Sequence, residues 1–281
     1  MFFGMAVLIF IGSGWGWWHF VRSNPERTFY AAVENSLRTQ GFSKTVTQES
    51  GEQKLEQGVQ YSSGAQNVAH GFTTVTQTGE TNANIKTEVI SNPKEEYIRY
   101  TTINTDQKKP DGSALDFTQL VNKWGKADST RGGDLYVETT LNVVPAGNLP
   151  ADKRQPLMKM IRDKQVYKLD NIQRALENGR PVYTYDVTVA TETYVQMLKD
   201  FDKATGMARL ESVDPATYKD SEPMTFQVKI DVWSQQLTQV NYAGGQRVEG
   251  FGSHGITRTV DLPTDYIPIE ELQSRLQAVQ Q

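Results

Sequence analysis

Few residues in this 281-residue chain stand in patterns that do chemistry. Of its three histidines, His19 falls in an uncharged N-terminal stretch, and His70 and His254 are isolated. Neither belongs to an HxxxH or HExxH pattern, so no metal centre is expected. Phe251-Gly252-Ser253-His254-Gly255 superficially resembles a nucleophile elbow, but it has no glycine two positions before the serine and no strand-to-helix setting. It reads as a hairpin loop. Gly244-Gly245 is not followed by the Lys-Ser/Thr of a phosphate loop, and Asp106–Asp111 lacks the acid spacing of a calcium loop. Glu95-Glu96 and Glu270-Glu271 sit among charged neighbours and read as solvated carboxylates. With no cysteine, a disulfide framework, a thiolate metal site, a Cys nucleophile and a lipid anchor attached through Cys are all excluded. No constellation for acid–base or nucleophilic work is present, so neither an enzyme nor a cofactor is expected.

What remains is apolar material. Trp124, Met158, Met160, Ile161, Met197 and Phe201 fall on stretches that read as helices and would face one side of a sheet. Flexible thioethers and aromatic rings adapt to irregular ligands, so Trp124, Met158, Ile161, Met197 and Phe201 are the expected lining of a hydrophobic ligand cavity. The competing expectation is that they fill an ordinary core.

The elements that would position them are mostly strands. In Met224–Trp233, Met224, Phe226, Val228, Ile230 and Val232 alternate with Thr225, Gln227, Lys229 and Asp231, which gives one apolar and one wet face. Similar stretches, less strictly alternating, cover Lys44–Gln48, Leu55–Tyr61, Val68–Gln77, Ala83–Ile90, Glu96–Asn104, Asp134–Val144, Val182–Ala190, Gln236–Tyr242 and a short strand near Ile256–Val260. Spacings of roughly 10 to 15 residues in the first half suit hairpins and leave no room for parallel crossovers. Asn24-Pro25-Glu26 reads as an N-cap, with Phe29, Val33 and Leu37 as the helix stripe and Gly41 as the C-terminal stop. Further helices are expected over Ser113–Lys126, Leu149–Tyr167 (broken or restarted at Pro156), Asp170–Asn178, Thr193–Thr205 and Ile269–Val279. Gln107–Gly112 is a turn, and no internal repeat or low-complexity segment is present.

The N-terminus sets the expected location. Met1–Val21 carries no Asp, Glu, Lys or Arg, with Trp15, Trp17 and Trp18 near its end and Arg22 after it. About 20 helical residues span roughly 30 Å, the thickness of the hydrocarbon layer, and clustered tryptophans suit an interface. A retained transmembrane anchor over residues 1–22 is therefore expected; a cleaved signal peptide or a buried soluble helix are the alternatives. Residues 24–281 then form a single domain outside the cytoplasm, with a split near 145–180 as the alternative. A net charge of −4 and the lack of clustered Lys and Arg argue against nucleic acid as a partner.

Element order adds a resemblance. The helix Pro25…Phe29…Ala32…Asn35…Leu37…Thr39 leads into a β-meander. Later come Pro181-Val182-Tyr183-Thr184-Tyr185-Asp186-Val187-Thr188-Val189 and Tyr194…Leu198, the Val228–Trp233 and Leu237–Tyr242 hairpin, and a terminal Leu262-Pro263…Ile269…Leu272 segment. This order resembles the LolA/LppX-type envelope lipoprotein family, with a membrane helix in place of the lipobox cysteine. The resemblance implies an α+β fold: a large curved antiparallel sheet, an unclosed half-barrel, with helices packed over its concave face and acyl chains bound inside. The expected function is a membrane-tethered extracytoplasmic domain that binds a lipid or another hydrophobic ligand. The alternative is an envelope protein-interaction or sensing ectodomain with a filled core, whose partners are other envelope proteins.

Overall fold

A computed structural model describes residues 24–64, 66–127 and 134–280. The expected anchor Met1–Val21 lies outside them. Among the described residues, no helix is long and apolar enough to cross a membrane.

The chain enters through helix α1 (Pro25–Leu37), and its start follows local chemistry. Asn24 Oδ1 accepts the Arg27 N–H at 2.9 Å, and Pro25 takes the first helical position, where no donor is missed. Phe29, Val33 and Leu37 are fully buried, as their four-residue spacing requires. Gly41 does not end this helix; it opens the first strand. A Cβ there would lie 2.1 Å from the Ile256 carbonyl oxygen, so only glycine admits the crossing of the two segments.

Five strands follow in a meander: β1 (Gly41–Ser50), β2 (Gln53–Ser62), β3 (Val68–Gln77), β4 (Ala83–Ser91) and β5 (Glu96–Thr105). Then come β6 (Gly125–Ala127), α2 (Asp134–Thr140), α3 (Ala151–Asp163), β7 (Lys168–Glu177), β8 (Arg180–Val189) and α4 (Thr191–Thr205). A short 3-10 turn at Pro215–Tyr218 precedes β9 (Met224–Asp231), β10 (Gln236–Tyr242), β11 (Arg247–Gly252), β12 (Ile267–Pro268) and α5 (Ile269–Gln280). All twelve strands form one sheet in the order β12-β6-β5-β4-β3-β2-β1-β11-β10-β9-β8-β7. It is unclosed, and antiparallel except where β12 pairs parallel to β6. The α+β class and the large open antiparallel sheet are thus as the sequence predicts.

The sheet has one face packed by helices. Phe226, Val228 and Ile230 of β9 are buried on it, while Gln227 and Lys229 point the other way. The same face carries Tyr185 of β8, whose ring packs 5.3 Å from Phe29, and Gly71 of β3, against which Leu135 of α2 lies. One apolar cluster runs from Phe29 and Phe42 through Val59, Tyr61 and Tyr185 to Val240.

Five expectations turn out otherwise, some for local and some for tertiary reasons. Asp170–Asn178 is a strand, not a helix, although Ile172 and Leu176 stand four apart. Asn178 and Gly179 both adopt positive φ (52° and 76°), the two-residue hairpin geometry that pairs β7 with β8. Asp134–Thr140 is a helix, not a strand. Its first N–H groups are taken up by other strands: Leu135 N–H donates to Glu96 Oε2 at 3.0 Å and Tyr136 N–H to Ser91 Oγ at 3.2 Å. Ser113–Lys126 forms no helix. The free edge of β5 recruits it instead, with the Asn122 N–H donating to the Tyr100 carbonyl at 2.8 Å before β6 pairs with Glu96–Ile98. Pro156 does not break α3, because the carbonyl that loses its donor sits in the exposed first turn. Finally, Ile256–Val260 is an irregular strap whose backbone bonds to side chains, as Arg258 N–H does to Ser62 Oγ at 2.8 Å.

Candidate functional site

The predicted lining residues divide into two groups. Met158 and Ile161 of α3 and Met197 and Phe201 of α4 converge in the main cluster, all 5% exposed or less. A Cβ added at Gly147 would lie 3.1 Å from the Phe201 ring, so the loop after α2 presses on it from a third side. Trp124 is not with them. It lies on the opposite face of the sheet, against a small cluster of Val68, Ile90, Tyr97 and Val260. The Arg99 guanidinium stacks 4.5 Å from its ring centre. Arg99 in turn donates to Glu88 Oε2 at 2.7 Å, and His70 Nε2 meets Glu88 Oε1 at 2.8 Å.

Of three clefts on the surface of the described residues, none is lined by Met158, Ile161, Met197 or Phe201. One of about 320 Å³ adjoins Trp124 and Tyr266, and one of about 390 Å³ lies beside Ser63 and Arg258. The third, about 430 Å³, is a shallow groove between α3 and α4 over Leu157 and Met160.

The strand register identifies residues that sequence patterns did not single out. Cross-strand partners share a face, so Leu55, Val75, Ile85 and Ile103, paired in turn across β2–β5, form one apolar row. The parallel row Val59, Gly71, Val89 and Ile98, four residues away along β2–β4 and five along β5, where the register shifts, lies under α2. Between the two runs Gln57, Thr73, Thr87 and Tyr100. The row thus continues the packed face beyond α2, the helix that rests on β2, β3 and β4. Its four side chains are only half-buried.

A buried charge cluster borders the same region. Lys44 pairs across β1–β2 with Val59, and Glu249 pairs across β10–β11 with Val240, so both point into the covered face, each 1% exposed. Lys44 Nζ lies 3.7 Å from Glu249 and donates to Asn142 Oδ1 at 2.9 Å and the Glu138 carbonyl at 3.2 Å. Arg247 bridges Glu249 (2.6 Å) and Glu138 (2.8 Å). Two cations thus face two carboxylates, and the cluster is neutral as a whole. Burial lowers the pKa of Lys44, with Glu249 and Glu138 opposing that shift. Burial also works against the Arg247 charge, but hydrogen bonds to Glu138 and Glu249 outweigh it and hold the arginine above its ordinary value. Tyr242 is pushed up, first by burial and then by the Glu249 charge. Glu249 Oε2 is buried with no hydrogen-bond partner among the described residues. A lysine between Phe42 and Val46 on one strand face was the sequence signal for this cluster.

No protein-family model matches the chain, and neither does any curated protein. Among the described residues, no three His, Cys, Asp or Glu side chains are placed to hold a metal ion.

Proposed function

We propose that the helix-covered face is the inside of a half-barrel that takes up the apolar chain of a lipid. The domain would be held at a membrane by Met1–Val21 and lie outside the cytoplasm. The observation that carries this reading is the row Leu55, Val75, Ile85 and Ile103, an apolar floor left only partly buried where the helical cover ends. Four strands set about 4.8 Å apart give that floor a width of about 14 Å, enough for an extended acyl segment. Each methylene removed from water contributes about 0.8 kcal/mol. Arg247, the partly exposed member of the neutral Lys44–Glu249–Arg247–Glu138 cluster beside it, would stand near a head group.

A second reading has its own support. Met158, Ile161, Met197 and Phe201 are all buried in one apolar cluster, which suits an envelope interaction or sensing domain with a filled core. One experiment separates the two: mass spectrometry of lipid extracted from the purified full chain, followed by titration with a fluorescent fatty acid. Under the lipid reading lipid co-purifies, and Ile85→Asp weakens uptake by about tenfold or more by placing a charge on the floor. The half-exposed position lets that variant keep its far-ultraviolet spectrum. A chain that emerges empty and refuses the fatty acid sinks the lipid reading and leaves the filled-core one.

A further inference from the structure

Among the described residues, β7 is the edge strand of the sheet, and it is bare. From Asn171 to Glu177 every residue is exposed, on both faces of the strand. Leu176 is 76% and Ile172 38% exposed, which puts two large apolar side chains on an edge that is unpaired among the described residues. The opposite edge is closed by β12 and α5.

What lies beside β7 identifies its partner. The Tyr185 hydroxyl on the neighbouring strand donates to the Pro25 carbonyl at 2.7 Å, so the first residues of α1 sit against β8. The described residues therefore begin near the bare strand, and in sequence they follow the uncharged stretch Met1–Val21. Basic side chains stand at this entry point, together with the exposed Glu26 in the first turn of α1. Arg162, at the end of α3, stacks 4.6 Å from the Tyr30 ring of α1, and Arg174 of β7 stacks 6.0 Å from Tyr183. Arg27 and Lys164 are exposed on the same two helix ends. Among the described residues none of these four cations has a carboxylate within ion-pair distance, whereas Lys159 and Lys168 do, with Asp163 and Asp170.

We infer that the β7 edge is a membrane-docking surface: Ile172 and Leu176 reach into the interfacial layer of the bilayer, and Arg27, Arg162, Lys164 and Arg174 meet anionic head groups. The depth follows from the strand's backbone. Its outward N–H and C=O groups have no sheet partner among the described residues and would be left unsatisfied in hydrocarbon, so the strand lies at head-group level and only the side chains go deeper. Anionic lipid supplies the complementary charge. The docked domain would hold a fixed orientation, with β7 down and β6 and β12 away from the bilayer. This inference rests on the proposed tether, because residues 1–21 must bring the edge to the surface.

The chain has no cysteine, so Leu176→Cys gives a single labelling site, and Glu52→Cys in the exposed β1–β2 turn gives a distant control. The full chain is placed in nanodiscs of phosphatidylcholine with about 30% phosphatidylglycerol, and an environment-sensitive dye is read against doxyl-lipid and iodide quenchers. Docking predicts a blue-shifted label at position 176, quenched by doxyl-lipid at least about twofold more than at position 52. It also predicts loss of that contrast in the Arg162→Glu/Arg174→Glu background. If the chain stays in the discs through a carbonate wash but the two labels are equally open to iodide, docking fails while the tether stands. A chain that neither enters the discs nor binds vesicles of the same lipid removes both. Shielding at position 176 that appears without lipid and grows with protein concentration assigns the edge to a second copy and overturns the inference.

Discussion

Met197→Asp tests whether the inside of the sheet is solid or hollow. Met197 is completely buried in α4, beside Phe201. Truncating a buried methionine costs about 2–5 kcal/mol. The new carboxyl has no partner there and is buried in its neutral form. Holding a group of ordinary pKa near 3.9 neutral costs about 1.4 kcal/mol per pH unit above that value, or about 4 kcal/mol at pH 7 and about 1.5 at pH 5. The total at pH 7, about 6–9 kcal/mol, rivals the whole stability of an ordinary domain. The sign is explicit: a carboxyl whose pKa is raised by folding binds more protons in the folded state, so the variant loses stability as pH rises and regains it as pH falls. Urea unfolding followed by tryptophan fluorescence at both pH values is the assay. The gap from the parent protein should shrink by about 2.7 kcal/mol between pH 7 and pH 5, and Met197→Leu should stay within about 1.5 kcal/mol of the parent. A Met197→Asp protein that unfolds within about 1 kcal/mol of the parent at both pH values would refute the reasoning, since the carboxylate would then be in contact with water.

The remaining predictions follow from two charge sites. Lys44→Ala strands Asn142 Oδ1 and weakens the Glu249 site, and is expected to cost about 3 kcal/mol, read as a lower urea midpoint; Lys44→Met restores volume and recovers part of it. Asp231 accepts from Arg180 at 2.5 and 2.9 Å, an ion pair that, against the cost of burial and with help from Ser234, holds its carboxyl down at about 2. The charged form is favoured in the fold, so its contribution is complete above the ordinary aspartate value and is lost as pH falls from 3.8 toward 2. Arg180 is half-exposed, so Asp231→Asn should cost only about 1–2 kcal/mol at pH 7 and nothing below pH 2, checked by urea midpoints across that range.

Local chemistry determined much of this fold. Asn24-Pro25 starts α1, Gly206 ends α4 in the left-handed conformation, and alternation along Met224–Val232 sets the buried face of β9. These signals involve neighbours in the chain, so they are legible without a fold. Met158, Ile161, Met197 and Phe201 were likewise recognisable as inward-facing from their helical spacing. Tertiary structure decided the rest. Ile172 and Leu176 match a helical period, yet the Asn178-Gly179 turn and the edge of β8 take the segment as a strand. The Val137–Thr140 stretch favours a strand by composition, yet Glu96 and Ser91 supply the donors' partners that a helix start needs. Trp124 belongs to a helical stripe on paper and lies on the far side of the sheet, because β5 needed an edge partner. The row Leu55–Val75–Ile85–Ile103 and the Lys44–Glu249–Arg247 cluster exist only through register, which brings together residues far apart along the chain. A side-chain period reports which way a residue points from its own backbone; what stands opposite it is set by hydrogen-bonded pairing between distant strands.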